Sequence, residues 1–99
     1  MTNPGPAKFG LGQVVSTLQA LRFCRMHRID VSTLLMRHAS GDWGDASSSD
    51  KNDNDAAVLN GSRILSLFAF PAGRVLVLTE AIGEDGTRAS TCIMLPSDY

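Results

Sequence analysis

The stretch Arg63-Ile64-Leu65-Ser66-Leu67-Phe68-Ala69-Phe70-Pro71-Ala72-Gly73-Arg74-Val75-Leu76-Val77-Leu78-Thr79-Glu80-Ala81 decides how this chain folds. Arg63 to Phe70 and Val75 to Ala81 are aliphatic, aromatic and β-branched, and Pro71-Ala72-Gly73 between them is turn chemistry. Two antiparallel strands are therefore predicted. Gly83 to Gly86 supplies another turn and Arg88 to Leu95 a third strand, completing an antiparallel meander. The runs ILSLFAF and VLVL hardly alternate with polar residues, so these strands need helices on one face and partial cover on the other. A second copy of the chain is one such cover.

Moving toward the N-terminus, the hydrophobic period changes. Ala56, Ala57, Val58 and Leu59 form a short apolar patch, with Ser49 or Asp50 as N-cap and Gly61 as terminator, which predicts a third helix. The polar, low-complexity stretch 46–54 would otherwise read as a disordered linker. Ser40 to Asp45 is an irregular turn in which Gly41 and Gly44 bracket the only tryptophan, Trp43, and this arrangement predicts an indole plugging the core edge. A second helix runs from Val31 to about Ala39, capped by Asp30 and stapled by Ile29 and Leu34. His38 lies four residues after Leu34, on the same apolar face.

A first helix is expected from Gln13 to about His27, because Val14, Leu18 and Leu21 recur at helical spacing with Val15, Phe23 and Cys24 flanking them. Arg22, Arg25 and Arg28 line its C-terminal half. Residues 1–12, opened by Asn3-Pro4-Gly5-Pro6, are expected to be a flexible lead-in. The fold class is α+β: one domain over 1–99, with two to three N-terminal helices packed on a three-stranded antiparallel β-meander. Val14, Leu18, Leu21, Leu65, Leu67, Val77 and Ile93 are the expected core.

A chain of 99 residues has one hydrophobic core to build, and 43% hydrophobic with 19% charged residues is ordinary globular usage. No apolar run approaches the roughly 18 residues a membrane helix requires, and MTNPGPAKFG has no signal-like apolar region, so the expected setting is cytoplasmic, with no membrane partner. Cys24 and Cys92 cannot build a multi-bridge framework and are expected reduced and buried. A net charge of −1 argues against general nucleic-acid affinity, but its distribution is uneven. Lys8, Arg22, Arg25, Arg28 and Arg37 against Asp30 make residues 1–40 strongly basic, while Asp42, Asp45, Asp50, Asp53 and Asp55 against Lys51 make residues 41–60 equally acidic.

Neither a metal nor a cofactor is expected. Asp50, Asn52 and Asn54 imitate the start of a calcium loop, but Asp55 stands where that loop needs glycine and Gly61 where it needs glutamate. Cys24 and His27 have half a zinc spacing without the other half, and Gly10-Leu11-Gly12 lacks the strand and lysine of a phosphate loop. The set His38, Arg63, Glu80 and Thr91, with Arg37 and Tyr99 nearby in kind, offers the base, acid and cation of a metal-free ribonuclease. The competing reading is structural, with His38 hydrogen-bonded under the sheet and Glu80 paired to Arg63 or Arg88.

From Leu34 to Tyr99 the chain resembles small proteins of bacterial plasmids, integrative elements and prophages. These are often labelled plasmid-related protein or type I restriction endonuclease subunit M. The residues that carry the likeness are Arg37-His38 with Ser40 to Asp45, Gly61 with Arg63-Ile64-Leu65-Ser66, Thr79-Glu80-Ala81, Thr91, Leu95-Pro96 and Asp98-Tyr99. The chain departs from that pattern in its longer Ile82 to Arg88 turn and its more basic N-terminal helix. The resemblance implies a mobile-element setting, without naming a reaction.

The expected function is that of a mobile-element accessory protein binding a host protein or ribonucleoprotein complex without catalysis, such as an inhibitor of a CRISPR or restriction system. Its candidate contacts are Arg22, Arg25, Arg28, Asp42, Trp43, Asp45, Asp50, Asp53 and Asp55. A small metal-independent ribonuclease or toxin using the His38 set is the alternative, and a nucleic-acid-binding regulator using the arginine stripe is a further one. A homodimer is left open.

Overall fold

A computed structural model describes residues 5–99; Met1 to Pro4 of the expected lead-in lie outside the described residues. The chain runs as β1 (Gln13–Ser16), α1 (Leu18–Met26), α2 (Val31–Ala39), α3 (Ser48–Asn60), β2 (Ile64–Phe70), β3 (Gly73–Thr79) and β4 (Ser90–Met94), ending in a 3₁₀ turn over Pro96–Asp98. The meander forms as its composition predicts: β2 pairs antiparallel with β3, setting Ile64 opposite Thr79, and β3 pairs antiparallel with β4, setting Thr79 opposite Thr91.

The sheet has four strands and not three, in the order β1-β4-β3-β2, and it is mixed because β1 runs parallel to β4. The segment assigned to the start of helix one is this extra strand. Gly12 turns into it with φ 62, at a place where a Cβ would strike the carbonyls of Arg88 and Ala89. Gln13 N–H then donates to Ala89 O and Thr17 N–H to Ile93 O, each at 3.0 Å. Two adjacent β-branched valines suit that ladder better than a helix. Thr17 ends the strand and caps α1, its hydroxyl accepting from Ala20 N–H at 3.1 Å. The helical spacing of Val14, Leu18 and Leu21 is thus not a buried stripe: Val14 is 45% and Leu18 59% exposed, and α1 buries Ala20 and Cys24 instead.

The other helix ends follow local chemistry. Asp30 caps α2 by accepting from Ser32 N–H at 3.0 Å. The polar 46–54 segment is mostly α3, capped by Ser47, just upstream of Ser49 and Asp50. Gly61 ends α3 in the left-handed region with φ 82, and its N–H returns to Ala57 O at 2.9 Å.

Ala20, Cys24 and Leu34 pack from the helices onto Phe68, Val75, Val77 and Ile93 of the sheet. A second cluster joins Trp43, Ala57 and Ile64, with Phe9 of the lead-in and Val58 against it. The opposite sheet face carries Leu76, Leu78 and Met94, flanked by half-buried Leu65, Leu67 and Cys92, and no helical residue belongs to this cluster. That placement is why Leu65 and Leu67 are less buried than expected while Val77 and Ile93 are fully enclosed.

The outer edge of β2 is sealed by the segment between α2 and α3 and by α3 itself. The Asn54 amide donates to Leu65 O at 2.8 Å and accepts from Leu65 N–H at 3.1 Å. Leu67 N–H reaches Trp43 O, Asp45 N–H reaches Leu67 O, and the Asp45 carboxylate takes Ala69 N–H at 2.8 Å. Gly44, with φ 69, lies so close that a side chain there would collide with the Leu67 carbonyl. The Gly-Asp-Trp-Gly-Asp turn therefore substitutes for a missing neighbour strand. Its indole, 4% exposed, also donates to Asp55 at 2.8 Å.

Trp43→Ala empties this wedge, and chemical denaturation should show a loss of about 3 to 5 kcal/mol. Trp43→Phe, which keeps most of the ring volume and removes only the bond to Asp55, should lose markedly less.

Candidate functional site

Helical spacing carries His38 inward from α2, and the ring is fully enclosed, with Phe9 edge-on at 5.2 Å and Trp43 at 6.0 Å between centroids. Its nitrogens meet two hydroxyls: Nδ1 lies 2.6 Å from Ser66 Oγ and Nε2 2.8 Å from Thr79 Oγ1. Thr79 Oγ1 is in turn 2.7 Å from Thr91 Oγ1, which donates to Leu11 O at 2.7 Å. Ser66, Thr79 and Thr91 are all completely buried.

The direction of this chain is determined at its far end. A carbonyl only accepts, so the single proton of Thr91 goes to Leu11 O, and Thr91 must accept from Thr79. Thr79 has then spent its own proton and accepts from His38 Nε2–H. Nδ1 is left as the acceptor for Ser66 O–H. One neutral tautomer satisfies every partner. An imidazolium would turn a second N–H onto Ser66 and leave that hydroxyl proton displaced. Burial, reinforced by the Arg88 charge, accordingly lowers the His38 pKa from 6.5 to about 4.

Arg88 is the other buried charge-bearing side chain, 7% exposed. Its Nη1 donates to Ser62 O at 2.7 Å and Glu80 O at 3.0 Å, and its Nη2 to Ala57 O at 3.0 Å. Ala57 lies in the last turn of α3, so the guanidinium meets the negative end of that helix. Phe9 covers it at 5.5 Å. Arg88 thus contacts the Glu80 backbone, whereas the sequence suggested the Glu80 carboxylate.

The four residues considered for ribonuclease chemistry divide between two places. His38 and Thr91 are sealed beneath the sheet, joined through Thr79. Arg63 and Glu80 are exposed, and by strand alternation they belong to the opposite sheet face, next to Ile64 and Thr79 respectively. Arg63 donates to the hydroxyl of Tyr99 and stands over its ring at 5.5 Å. Arg37 pairs with Asp42 at 2.7 Å and stacks on Phe68. An open cleft of about 680 Å³ lies between the lead-in and the 82–89 loop, lined by Phe9, Gly12, Ile82, Thr87 and Arg88, and none of the four residues borders it.

Several surface candidates have internal duties. Trp43 is enclosed, and Asp55 holds its indole. Asp45 caps the β2 edge. Asp42 takes the Arg37 guanidinium and Gly44 N–H, and the Arg37 bond above all holds its carboxyl below the usual range. Asp50 and Asp53 stay exposed on α3, and Arg22, Arg25 and Arg28 on and just after α1. Among the described residues the Arg37–Asp42 pair is the only ion pair. Asn54, part of the calcium-like spacing, spends its amide on Leu65, and no three His, Cys, Asp or Glu side chains gather among the described residues. Cys24 is buried in the core and Cys92 half-buried, and burial raises both thiol pKa values. No helix among the described residues is long and apolar enough to cross a membrane.

Reasoning from sequence missed Ser66 and Thr79 as the partners of His38, and Arg88 as a buried cation held by backbone carbonyls. Period two was the available signal: Ser66 shares a face with Ile64 and Phe68, a position where a hydroxyl needs a partner.

Because the folded-state pKa of His38 lies below its ordinary 6.5, the unfolded chain binds more protons between there and about 4. Stability should be fully present above pH 6.5 and fall as pH drops toward 4, by about 3 kcal/mol for the shift of 6.5 to about 4. Denaturation curves at a series of pH values will show this slope. His38→Gln should be less stable at neutral pH and nearly flat across that window. Comparison with protein-family models, with curated proteins and with solved structures finds no match to this chain.

Proposed function

We propose that this protein acts by binding a macromolecular partner through its charged surface, without chemistry of its own. The observation that carries the reading is the exposed Arg22, Arg25 and Arg28 series, which forms no ion pair among the described residues. Exposed like charges on one element steer encounter with an oppositely charged partner and select against like-charged ones. The acidic α3 surface around Asp50 and Asp53 supplies the opposite sign. The enclosure of His38 and Thr91 supports the same reading, since a phosphate would have to displace the lead-in to reach them.

The resemblance to mobile-element proteins refines the partner to a host complex in the cytoplasm, a CRISPR or restriction assembly being the reading we favour. Such assemblies carry bound nucleic acid and acidic surfaces that an arginine series can engage, and basic nucleic-acid-binding surfaces that the acidic α3 face can engage.

The test is purification of the tagged chain from a host that carries an active defence system, together with phage plating on that host. The wild-type chain should retain a defence complex and raise plating. An Arg22→Glu/Arg25→Glu variant of unchanged fold should weaken capture by about ten-fold or more, with strong salt dependence. RNA cleavage by the purified chain that disappears in a folded His38→Gln variant would replace this reading with the nuclease. Capture of nucleic acid alone would transfer the arginine series to a nucleic-acid regulator.

A further inference from the structure

The two edges of the sheet are treated differently. Along β2, Leu65, Leu67 and Ala69 turn backbone groups outward, and Asn54, Trp43 and Asp45 meet them. β1 is the other edge, and among the described residues it is bonded only to β4. Gln13 and Thr17 direct their N–H groups at β4, so strand alternation turns those of Val14 and Ser16 away from the sheet. All four residues of β1 are exposed, Val14 at 45% and Val15 at 41%, and Leu18 just beyond is 59% exposed. The strand Gln-Val-Val-Ser carries no charge, proline or bulge of the kind that protects an edge from pairing.

We propose that β1 is a docking strand for a second copy of this chain, the two strands pairing antiparallel about a two-fold axis at Val15. The strand is complementary to itself. The outward groups belong to Val14 and Ser16, which flank Val15 symmetrically. Val14 of one copy therefore stands opposite Ser16 of the other, and each such pair exchanges both its hydrogen bonds. The two Val15 residues meet as the close, non-hydrogen-bonded pair at the axis. Val15 is in register with Cys92, which flanks the buried cluster of Leu76, Leu78 and Met94, so the two Val15 side chains meet at the margin of that face in both copies. The pairing sets no charge against charge, Val14 facing Ser16 and Val15 facing Val15, and it covers two exposed valines in each copy, which assigns the edge to a second copy, with a heterologous strand as the competing outcome of the test. The inference is independent of the charged-surface reading above.

Two strands of this length make a small contact, so dissociation in the micromolar range is expected. Light scattering after gel filtration, with the protein loaded at about 10 to about 500 µM, should show the mass rising from 10.6 kDa toward twice that value. Val14→Pro removes only an outward N–H and leaves the β4 ladder whole, and Val14→Lys adds an edge charge. Both should remain folded by circular dichroism and stay monomeric. In the wild-type chain the Val14 and Ser16 amides should gain hydrogen-exchange protection as concentration rises. Val15→Cys, placed in a Cys92→Ser chain, should oxidise to a covalent dimer. A wild-type chain that stays at 10.6 kDa throughout would overturn the proposal. So would a dimer that persists in both Val14 variants, or a β1 edge that is occupied only by another protein's strand.

Discussion

The placement of a neutral imidazole in a fully buried site constrains most of this structure. His38 needs an acceptor and a donor at fixed positions, and they come from β2 and β3 through Ser66 and Thr79. Thr79 requires Thr91 of β4, and Thr91 requires a carbonyl, which the lead-in supplies at Leu11. One directional chain of hydrogen bonds thereby ties α2, three strands and the segment before β1. Any slip of a strand by one residue would turn its hydroxyl to the other face and leave a buried polar group unpaired, at a cost of about 1 to 3 kcal/mol. The network specifies register as much as it contributes stability.

Arg88 performs a related task at the end of α3. Its guanidinium is satisfied by the carbonyls of Ala57 in the last turn of α3, Ser62 just before β2 and Glu80 just after β3. Phe9 touches both sites, edge-on to His38 and over Arg88. The lead-in is therefore a working part of the core, and Lys8 N–H bonded to Ala39 O at 2.8 Å anchors it further.

The proposed recognition role rests on how the polar groups are distributed. The residues with acid–base chemistry are divided by the sheet, His38 beneath it and Glu80 and Arg63 on its other face. Among the described residues the surface retains two opposed charge regions and a strand edge without a neighbour. Such an arrangement suits recognition, where encounter depends on charge and specificity on backbone and apolar complementarity. A partner-binding surface and a self-pairing edge can coexist, since the arginines lie on and after α1 and the free backbone groups on β1.

Much of the fold was legible because its signals are local. The β2–β3–β4 meander follows from composition and turns, α2 from Asp30 and the Leu34–His38 spacing, and the end of α3 from Gly61. Residues 13–16 were not legible as a strand: Val14, Leu18 and Leu21 fit a helical period by spacing alone, and only pairing with β4, 77 positions away, selects the extended form. The candidate site divides in the same way. His38 on an apolar face could be read as buried, but period and spacing carry no information about what a side chain meets at a sequence separation of 28 or 41. The sequence by itself determined the element types of the last two thirds, the charge asymmetry and the inward direction of His38, because backbone propensity, capping and hydrophobic period act over a few residues. Only the tertiary structure decided the fourth strand, the sealed hydrogen-bond chain, the separation of Arg63 and Glu80 from His38, and the contrast between the two sheet edges, because each depends on contacts between segments remote in the chain.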